Sequence, residues 1–140
     1  MAVGRTAMLA AVTAEAVAGF LPWIRSGHRQ RSGFELIDSV RTLHVLDSGL
    51  QKGLALAWYL VPLAAALCWL AVLLDRRRSA ALLSIGTGVL GTVVALSVER
   101  AAVSSLIGVH ATLTAALAAA VGGTVELVEG GRHELANGPH

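Results

Sequence analysis

The sequence predicts an all-α protein, a four-helix transmembrane bundle with an amphipathic interfacial helix in its first loop. Two observations lead to this fold class. The chain is 55% hydrophobic and only 14% charged, whereas soluble domains carry about a quarter charged residues. Its apolar residues also fall into four long runs with charged residues at their borders, the pattern of helices that cross a bilayer. A chain of 140 residues has room for one integral membrane domain.

Each apolar run has about the 20 residues that a helix needs to cross a hydrocarbon core of roughly 30 Å. The spans are predicted at about 6–24, 53–74, 80–98 and 102–122. This leaves an amphipathic loop at 25–52 and a polar C-terminal tail at 123–140. The second and third runs each hold about 19 or more residues without Asp, Glu, Lys or Arg, so they are the strongest spans; the fourth is also uncharged but must supply a connection to the third.

Two of the runs have alternative interpretations. The first follows Arg5 and is rich in alanine, as a secretory signal peptide would be. Glu15 within the apolar part, and the continuation through Trp23 to Ile24, favour a spanning helix instead. The fourth run needs a connection to the third, and residues 99–105 could supply it, so that the helix would begin at Leu106.

Proline and tryptophan refine the second span. Pro62 lies inside it and lacks the N–H group of a helical hydrogen bond. Membrane bundles tolerate such a residue when neighbours satisfy the freed carbonyl group. We therefore predict a kink between Trp58 and Pro62. Trp58 and Trp69 lie near opposite ends of the span, where amphipathic rings prefer the headgroup level.

Basic residues predict the orientation in the cell membrane. Arg76, Arg77 and Arg78 form the tightest basic cluster, in a short loop, and the positive-inside rule assigns such a loop to the cytoplasm. With four spans, both termini then lie in the cytoplasm. The first loop opposes this assignment because it would lie outside with five basic and three acidic residues. These are Arg25, Arg29, Arg31, Arg41 and Lys52, and Glu35, Asp38 and Asp47.

The first loop contains a predicted amphipathic helix over 34–50. Ser32, followed three residues later by Glu35, has the spacing of a capping box at a helix start. An apolar stripe then recurs at helical spacing. Its members are Phe34, Ile37, Val40, Leu43, Leu46 and Leu50. Such a helix would lie flat on the membrane, either as a lid over the helix ends or as a docking surface for a partner or lipid.

The border between the first span and this loop contains the segments Leu21-Pro22-Trp23-Ile24-Arg25-Ser26-Gly27 and Arg31-Ser32-Gly33-Phe34-Glu35-Leu36. This border resembles that of small, uncharacterised actinobacterial multi-pass membrane proteins. The resemblance covers about sixteen residues, 21–36, and the rest of the chain is similar only in hydropathy. The resemblance implies a short multi-pass protein and supplies no catalytic residues.

Small residues in the third span predict close helix packing. Ser84, Gly88 and Thr92 are four residues apart and share one helix face, and Gly91 belongs to a second such series. Small side chains at this spacing let a neighbouring helix approach closely. The glycines at 86, 88 and 91 also have the letters of a dinucleotide fingerprint. That motif requires a preceding strand, so packing is the better interpretation.

Two ionisable groups lie within the predicted spans, Glu15 in the first and His110 in the fourth. An intramembrane carboxylate costs at least about 2.5 kcal/mol, so Glu15 is expected to face the bundle interior. If the fourth helix begins near Ala102, Glu15 and His110 lie at similar depth and can pair. A stabilising contact is the favoured role, and a proton or substrate site is the alternative. If that helix begins later, His110 lies near the outer surface and Glu15 must find a hydroxyl group.

These features favour some functions and exclude others. The basic residues form no stripe with interleaved aromatics, so we expect no nucleic-acid binding. Cys68 is the only cysteine, and we expect no cofactor, metal site or catalytic residues. The predicted function is a non-enzymatic accessory or scaffold protein that binds other membrane proteins or itself. The alternative is a minimal transporter or proton-coupled carrier that uses Glu15 and His110.

Overall fold

The structure is a computed structural model and describes residues 2–26, 29–35, 38, 49–101 and 106–136. Most of this part of the chain is helical. In chain order the elements are α1 (Ala2–Ala18), β1 (Pro22–Ser26), β2 (Arg29–Ser32), α2 (Gly49–Tyr59), α3 (Val61–Leu73), α4 (Arg77–Ala101) and α5 (Ile107–Ala136). Two of them, α4 over Arg77–Arg100 and α5 over Ile107–Arg132, are long and apolar enough to cross a membrane.

The first helix is shorter than its apolar run. It ends at Ala18 and the chain turns through Gly19, whose N–H donates to the Glu15 carbonyl at 3.3 Å. The prediction of helix up to residue 24 is therefore wrong. Pro22 explains the difference because a proline disfavours helical conformation at the residue before it. Apolar composition alone does not distinguish a helix from the strand that follows here.

A short antiparallel hairpin replaces the end of the predicted span. Strand β1 pairs with β2, and the register is irregular between Pro22 and Ile24. Trp23 lies at this irregularity and is fully buried, with its indole Nε1 donating to the Ala18 carbonyl at 3.0 Å. The hairpin is an exception to the all-α prediction. It places the Trp23 side chain against the end of α1.

The second predicted span consists of two helices. Helix α2 ends at Tyr59, and α3 begins at Val61 with proline in its first turn. Between them the N–H of Leu60 donates to the Ala57 carbonyl at 3.0 Å, in a tighter turn than an α-helix makes. The predicted kink between Trp58 and Pro62 is confirmed, in the form of a break between two helices, and the missing N–H of Pro62 is its physical cause.

Helix α5 begins later and ends later than its predicted span of 102–122. It starts at Ile107, and it continues to Ala136 instead of giving way to a polar tail at residue 123. Two contacts account for the extension. A Cβ atom at Gly123 would lie 2.7 Å from the Ala81 carbonyl oxygen, so this part of α5 packs closely on α4. One turn further, Glu126 is buried and lies 3.9 Å from Arg5.

Helix α5 packs against both α1 and α4, which also contact each other, and α3 packs on α1 and α4. Two adjacent glycines of α5 contact α1 and α4. Gly122 faces Met8 of α1, where a Cβ atom would lie 3.2 Å from the Met8 Cα, whereas Gly123 faces α4. Ser84 of α4 donates a hydrogen bond to the Ala119 carbonyl of α5 at 2.7 Å. The backbones of α1 and α4 therefore both lie close to the backbone of α5.

Charged residues gather at one end of the bundle. Arg5 near the start of α1 lies 3.5 Å from Asp75 in the turn between α3 and α4, and it also reaches Glu126. Asp75 has a φ of 54° and accepts from Arg77 at 3.2 Å. The beginning of α1, the α3–α4 turn and the later half of α5 therefore lie at the same end. The hairpin lies at the other end, where the N–H of Leu106 donates to the Trp23 carbonyl at 2.8 Å.

Candidate functional site

Glu15 is the most unusual side chain in the described part of the bundle. It lies near the end of α1 and has no exposed surface. Neither carboxyl oxygen has a hydrogen-bond partner among the described residues. Buried polar groups are nearly always hydrogen-bonded, and an exception is a candidate for a functional group. Glu15 is therefore the centre of the candidate site.

Two clusters of buried apolar side chains flank α1, and Ala16, next to Glu15, packs against both. The first cluster contains Met8, Leu9, Ala11, Val12, Ala65, Cys68, Ala71, Ala80 and Ala119. The second contains Trp23, Trp58, Val61, Val94, Ala95 and Val109. The carboxyl group, which is not exposed to solvent, thus lies between two apolar regions.

Helix α4 contacts the carboxyl group through a glycine. A Cβ atom at Gly91 would overlap the Oε1 atom of Glu15, and it would lie 3.0 Å from both the Glu15 Cδ atom and the Ala116 Cβ atom. The carboxyl group therefore lies directly against the backbone of α4, with α5 beside it. Only a residue without a Cβ atom fits at this position.

Helix α5 contributes a second unpaired polar group. Thr112 is fully buried, and its hydroxyl has no partner among the described residues. It lies one helical turn before Ala116, so both face the same side of α5. The other threonine hydroxyl groups of α5 bond to their own helix, as Thr114 does with the His110 carbonyl at 2.8 Å. The site thus combines a carboxyl group, a glycine and a free hydroxyl from three helices.

The structure does not bring His110 to Glu15. His110 is exposed, and its Nδ1 atom lies 3.3 Å from the Leu106 carbonyl oxygen of its own helix. The predicted hydrogen bond between Glu15 and His110 is therefore not formed. The late start of α5 at Ile107 is the reason, because it places His110 in the first turn of the helix at the hairpin end.

The small residues of α4 face the other two central helices. Ser84 bonds to Ala119, and a Cβ atom at Gly88 would lie 2.7 Å from the Ala120 nitrogen and closer still to the Ala116 carbonyl oxygen. Gly91 meets Glu15. Thr92 is partly buried and bonds to the Gly88 carbonyl within its own helix. Helix α4 therefore packs on α5 through Ser84 and Gly88 and on α1 through Gly91.

The basic cluster lies at the charged end of the bundle. Arg76 and Arg78 are exposed, whereas Arg77 is partly buried and bonds to Asp75. The N–H of Arg76 donates to the Ala71 carbonyl at 2.7 Å, which closes the end of α3. The cluster thus belongs to a structured turn.

The first loop shows the predicted capping box at its start. The Ser32 hydroxyl accepts from the Glu35 N–H at 3.3 Å, and the Glu35 carboxylate accepts from the Ser32 N–H at 3.0 Å. Helix begins at Gly33. Most of the predicted stripe, including Ile37, Val40, Leu43 and Leu46, lies outside the described residues.

An aromatic cluster at the hairpin end was not predicted from the sequence. Phe34 lies 4.7 Å from Phe20, 6.1 Å from Trp58 and 5.8 Å from Tyr59, measured between ring centroids. Trp23 meets Trp58 edge to face at 5.1 Å. Of these rings, the sequence placed Trp58 near a predicted helix end. Their mutual contact depends on the hairpin, which was not foreseen.

A groove on the outer surface is the second candidate site. It lies between α2–α3 and α4 and has a volume of about 630 Å³. Its lining is Ala57, Leu60, Val61, Ala64, Ser79, Leu82, Leu83, Gly86, Thr87 and Leu90. A Cβ atom at Gly86 would meet nothing within 4 Å. This glycine is therefore open to the groove, unlike Gly88 on the same helix.

In the described part of the chain, no group of three or more His, Cys, Asp and Glu residues is placed to hold a metal ion. Cys68 is buried in the first apolar cluster, with its Sγ atom 3.4 Å from the Ala80 carbonyl oxygen. Comparisons with protein-family models, curated proteins and solved structures found no match to this sequence.

Proposed function

We propose that this chain is a multi-pass protein of the cell membrane, a four-span bundle that acts as a non-enzymatic accessory or scaffold protein. Its partners are the lipid bilayer and the transmembrane helices of other membrane proteins or of a second copy. The proposal has two parts, the membrane bundle and the binding role, which different observations support.

The distribution of side-chain sizes carries the first part. The buried positions hold mostly small side chains, among them Ala80, Ala81, Ala95, Ala116 and Ala119, together with polar Ser84 and Thr112. Many large apolar side chains lie outside, although Met8, Trp23 and Trp58 are buried. Those outside include Val17, Leu56, Leu60, Leu63, Leu70, Leu73, Leu82, Val89, Val93, Leu117, Val121, Val125 and Val128. Small interiors and apolar exteriors are expected where lipid replaces water, and an apolar surface of this extent is rare on a soluble monomer.

The two long helices support the same conclusion. Only 39% of the most apolar part of α4 and 33% of that of α5 are buried inside the protein. The core helix of a soluble protein would bury most of such a segment. Lipid is the surrounding that accepts the remaining apolar surface at little cost.

The arrangement of the ends supports a topology with both termini in the cytoplasm. Arg5, the α3–α4 turn and the later half of α5 lie at one end of the bundle. This end carries Arg76, Arg77 and Arg78, which the positive-inside rule assigns to the cytoplasm. The four spans are then α1, α2 with α3, α4 and α5, and the hairpin faces the opposite side.

The groove supports the binding role. On the inner face of α4, glycines are covered by neighbouring helices at backbone distance, as at Gly88. Gly86 offers the same close approach on the outer face, and nothing in the described structure covers it. A glycine in a helix interior costs roughly 1 kcal/mol relative to alanine. An incoming transmembrane helix that packs between Leu82 and Leu90, one turn to either side of Gly86, would offset this cost.

Filling the groove tests the proposal. We expect that wild-type protein purified in mild detergent carries a stoichiometric membrane-protein partner or a second copy, and that Gly86→Trp loses it. The matched control is Val121→Trp, at a position on α5 that is 63% exposed and outside the groove. Monomeric wild-type protein without a partner, or equal partner recovery with Gly86→Trp, would contradict the proposed role.

A further inference from the structure

We propose that Glu15 is a proton-binding site inside the bundle, which keeps its proton while α1 packs on Gly91 and releases it only when these helices separate. The inference depends on the membrane bundle proposed above, and it is independent of the scaffold role. Three observations support the inference. The buried carboxyl group has no partner among the described residues, it contacts the α4 backbone at Gly91, and the Thr112 hydroxyl is also without a partner there.

The surroundings of Glu15 favour the neutral acid. Removing an ionised carboxylate from water without donors or a counter-charge costs far more than removing the neutral group. On α1, Arg5 lies ten residues before Glu15, about 15 Å away along the helix, and reaches Asp75 and Glu126 instead. On α3, the buried thiol of Cys68 lies beside the Ala80 carbonyl. Neither helix supplies a charge to Glu15.

Helices α4 and α5 also leave Glu15 without a charged neighbour among the described residues. The charged groups of α4 lie at its ends, and the nearest one in sequence, Glu99, is eight residues beyond Gly91, or about 12 Å. The others are Arg77, Arg78 and Arg100. On α5, His110 is exposed at the hairpin end, and Glu126 lies with Arg5 at the charged end. Glu129 and Arg132 are exposed beyond it.

A proton fits this site better than a metal cation does. A cation such as Na⁺ or Ca²⁺ needs several oxygen ligands around it. Here Oε1 lies against the Gly91 backbone, and the Ala116 methyl group occupies the adjoining space. The hydroxyl of Thr112, one turn before Ala116 on α5, is the other buried oxygen without a partner among the described side chains. A proton needs no ligand shell, so a close-packed carboxyl group can hold it.

Proton release is linked to helix packing by the contact with Gly91. An ionised carboxylate requires hydrogen-bond donors, and neither Glu15 oxygen accepts a hydrogen bond from a described residue. Water and the Thr112 hydroxyl become available only if α1 moves away from α4. The tryptophans of the second apolar cluster, Trp23 and Trp58, lie beside this contact and can report the movement.

A pH series of unfolding measurements tests the site. We compare wild type with Glu15→Gln, which keeps the shape of the neutral acid, in detergent mixtures whose unfolded state exposes residue 15 to water. A solvated glutamate loses its proton above about pH 4.3, whereas the folded protein keeps it. The unfolded state then binds fewer protons, so wild-type stability falls as pH rises. The ratio of the wild-type to the Gln unfolding constant should increase about tenfold per pH unit, or about 100-fold from about pH 5 to about pH 7. A ratio that does not change with pH would overturn the proposal.

Infrared spectroscopy of wild-type protein in lipid vesicles provides a second test that does not require the variant to unfold reversibly. At neutral pH we expect a C=O band of a protonated carboxylic acid that is absent in Glu15→Gln and retained in Glu126→Gln. Raising the pH should remove the band together with a shift in tryptophan emission. An ionised Glu15 at neutral pH, a band that titrates with unchanged emission, or stabilisation of wild type by Na⁺ but not of Glu15→Gln would each contradict the proposal.

Discussion

Gly88 and Gly86 lie two residues apart on α4, and the structure predicts opposite effects when each is replaced by alanine. A Cβ atom at Gly88 would lie 2.7 Å from the Ala120 nitrogen, 3.0 Å from the Ala120 Cβ atom and closer still to the Ala116 carbonyl oxygen. The first and last of these atoms belong to the α5 backbone, so they cannot move aside as a flexible side chain can. At Gly86 the same methyl group meets nothing within 4 Å.

The magnitudes follow from these distances. Overpacking a close interface typically costs about 1 to 3 kcal/mol, and alanine gains up to about 1 kcal/mol over glycine in a helix. Gly88→Ala should therefore lower the free energy of unfolding by up to about 2 kcal/mol, whereas Gly86→Ala should leave it unchanged or raise it by up to about 1 kcal/mol.

Detergent-induced unfolding, followed by circular dichroism in mixed micelles, measures both variants against wild type. Because helix propensity affects the two positions alike, the difference between the variants isolates the contact with α5. Equal stability of Gly88→Ala and Gly86→Ala would refute the close approach of α4 and α5 at this point.

Two further variants test other contacts of the bundle. Ser84→Ala removes the hydrogen bond to the Ala119 carbonyl and should lower the free energy of unfolding by about 0.6 to 1.5 kcal/mol. The control is Ser97→Ala, which should change the free energy of unfolding little because the Ser97 hydroxyl bonds to the Val93 carbonyl of its own helix. Equal losses for the two variants in the same unfolding assay would contradict a role of Ser84 in joining helices. Arg5→Ala leaves the buried Glu126 carboxylate without its ion-pair partner, so we expect a loss of stability that Arg5→Lys partly restores. An unfolding midpoint of Arg5→Ala equal to that of wild type would show that the ion pair contributes nothing to stability.

The sequence predicts helix packing well where side-chain size decides it. Spacing alone identified Ser84, Gly88 and Gly91 as small positions, because a close approach requires small residues wherever the partner lies. It could not identify the partner of each face. Gly91 faces a carboxyl group of α1, a pairing that depends on how far α1 and α4 slide past each other.

Helix ends were predicted poorly where hydropathy was the only guide. Residues 20–24 are as apolar as the helix before them, yet they form a turn and a strand because Pro22 and the docking of Trp23 decide the conformation. In the later half of α5 the reverse applies, since the polar residues after Gly123 remain helical to Ala136. Hydropathy indicates the surroundings of a segment, whereas tertiary contacts determine where its helix begins and ends.

Partners of single polar groups were the least predictable feature. The pairing of Glu15 with His110 required the fourth helix to begin near Ala102, and a start at Ile107 turns His110 outward instead. The alternative of a late start correctly predicted that His110 does not pair with Glu15. It also predicted a hydroxyl partner for Glu15, but neither carboxyl oxygen has a partner among the described residues.

Cysteine accessibility in intact cells tests the central claim, a bundle that crosses the cell membrane with both termini in the cytoplasm. On a Cys68→Ala background, single cysteines replace Gln30 in the hairpin, Glu129 near the end of α5, and Val121 on the exposed apolar face of α5. A membrane-impermeant maleimide should label Gln30→Cys in intact cells, Glu129→Cys only after permeabilisation, and Val121→Cys in neither case. Labelling of Glu129→Cys in intact cells would contradict the topology, and ready labelling of Val121→Cys by the aqueous reagent would contradict the membrane bundle itself.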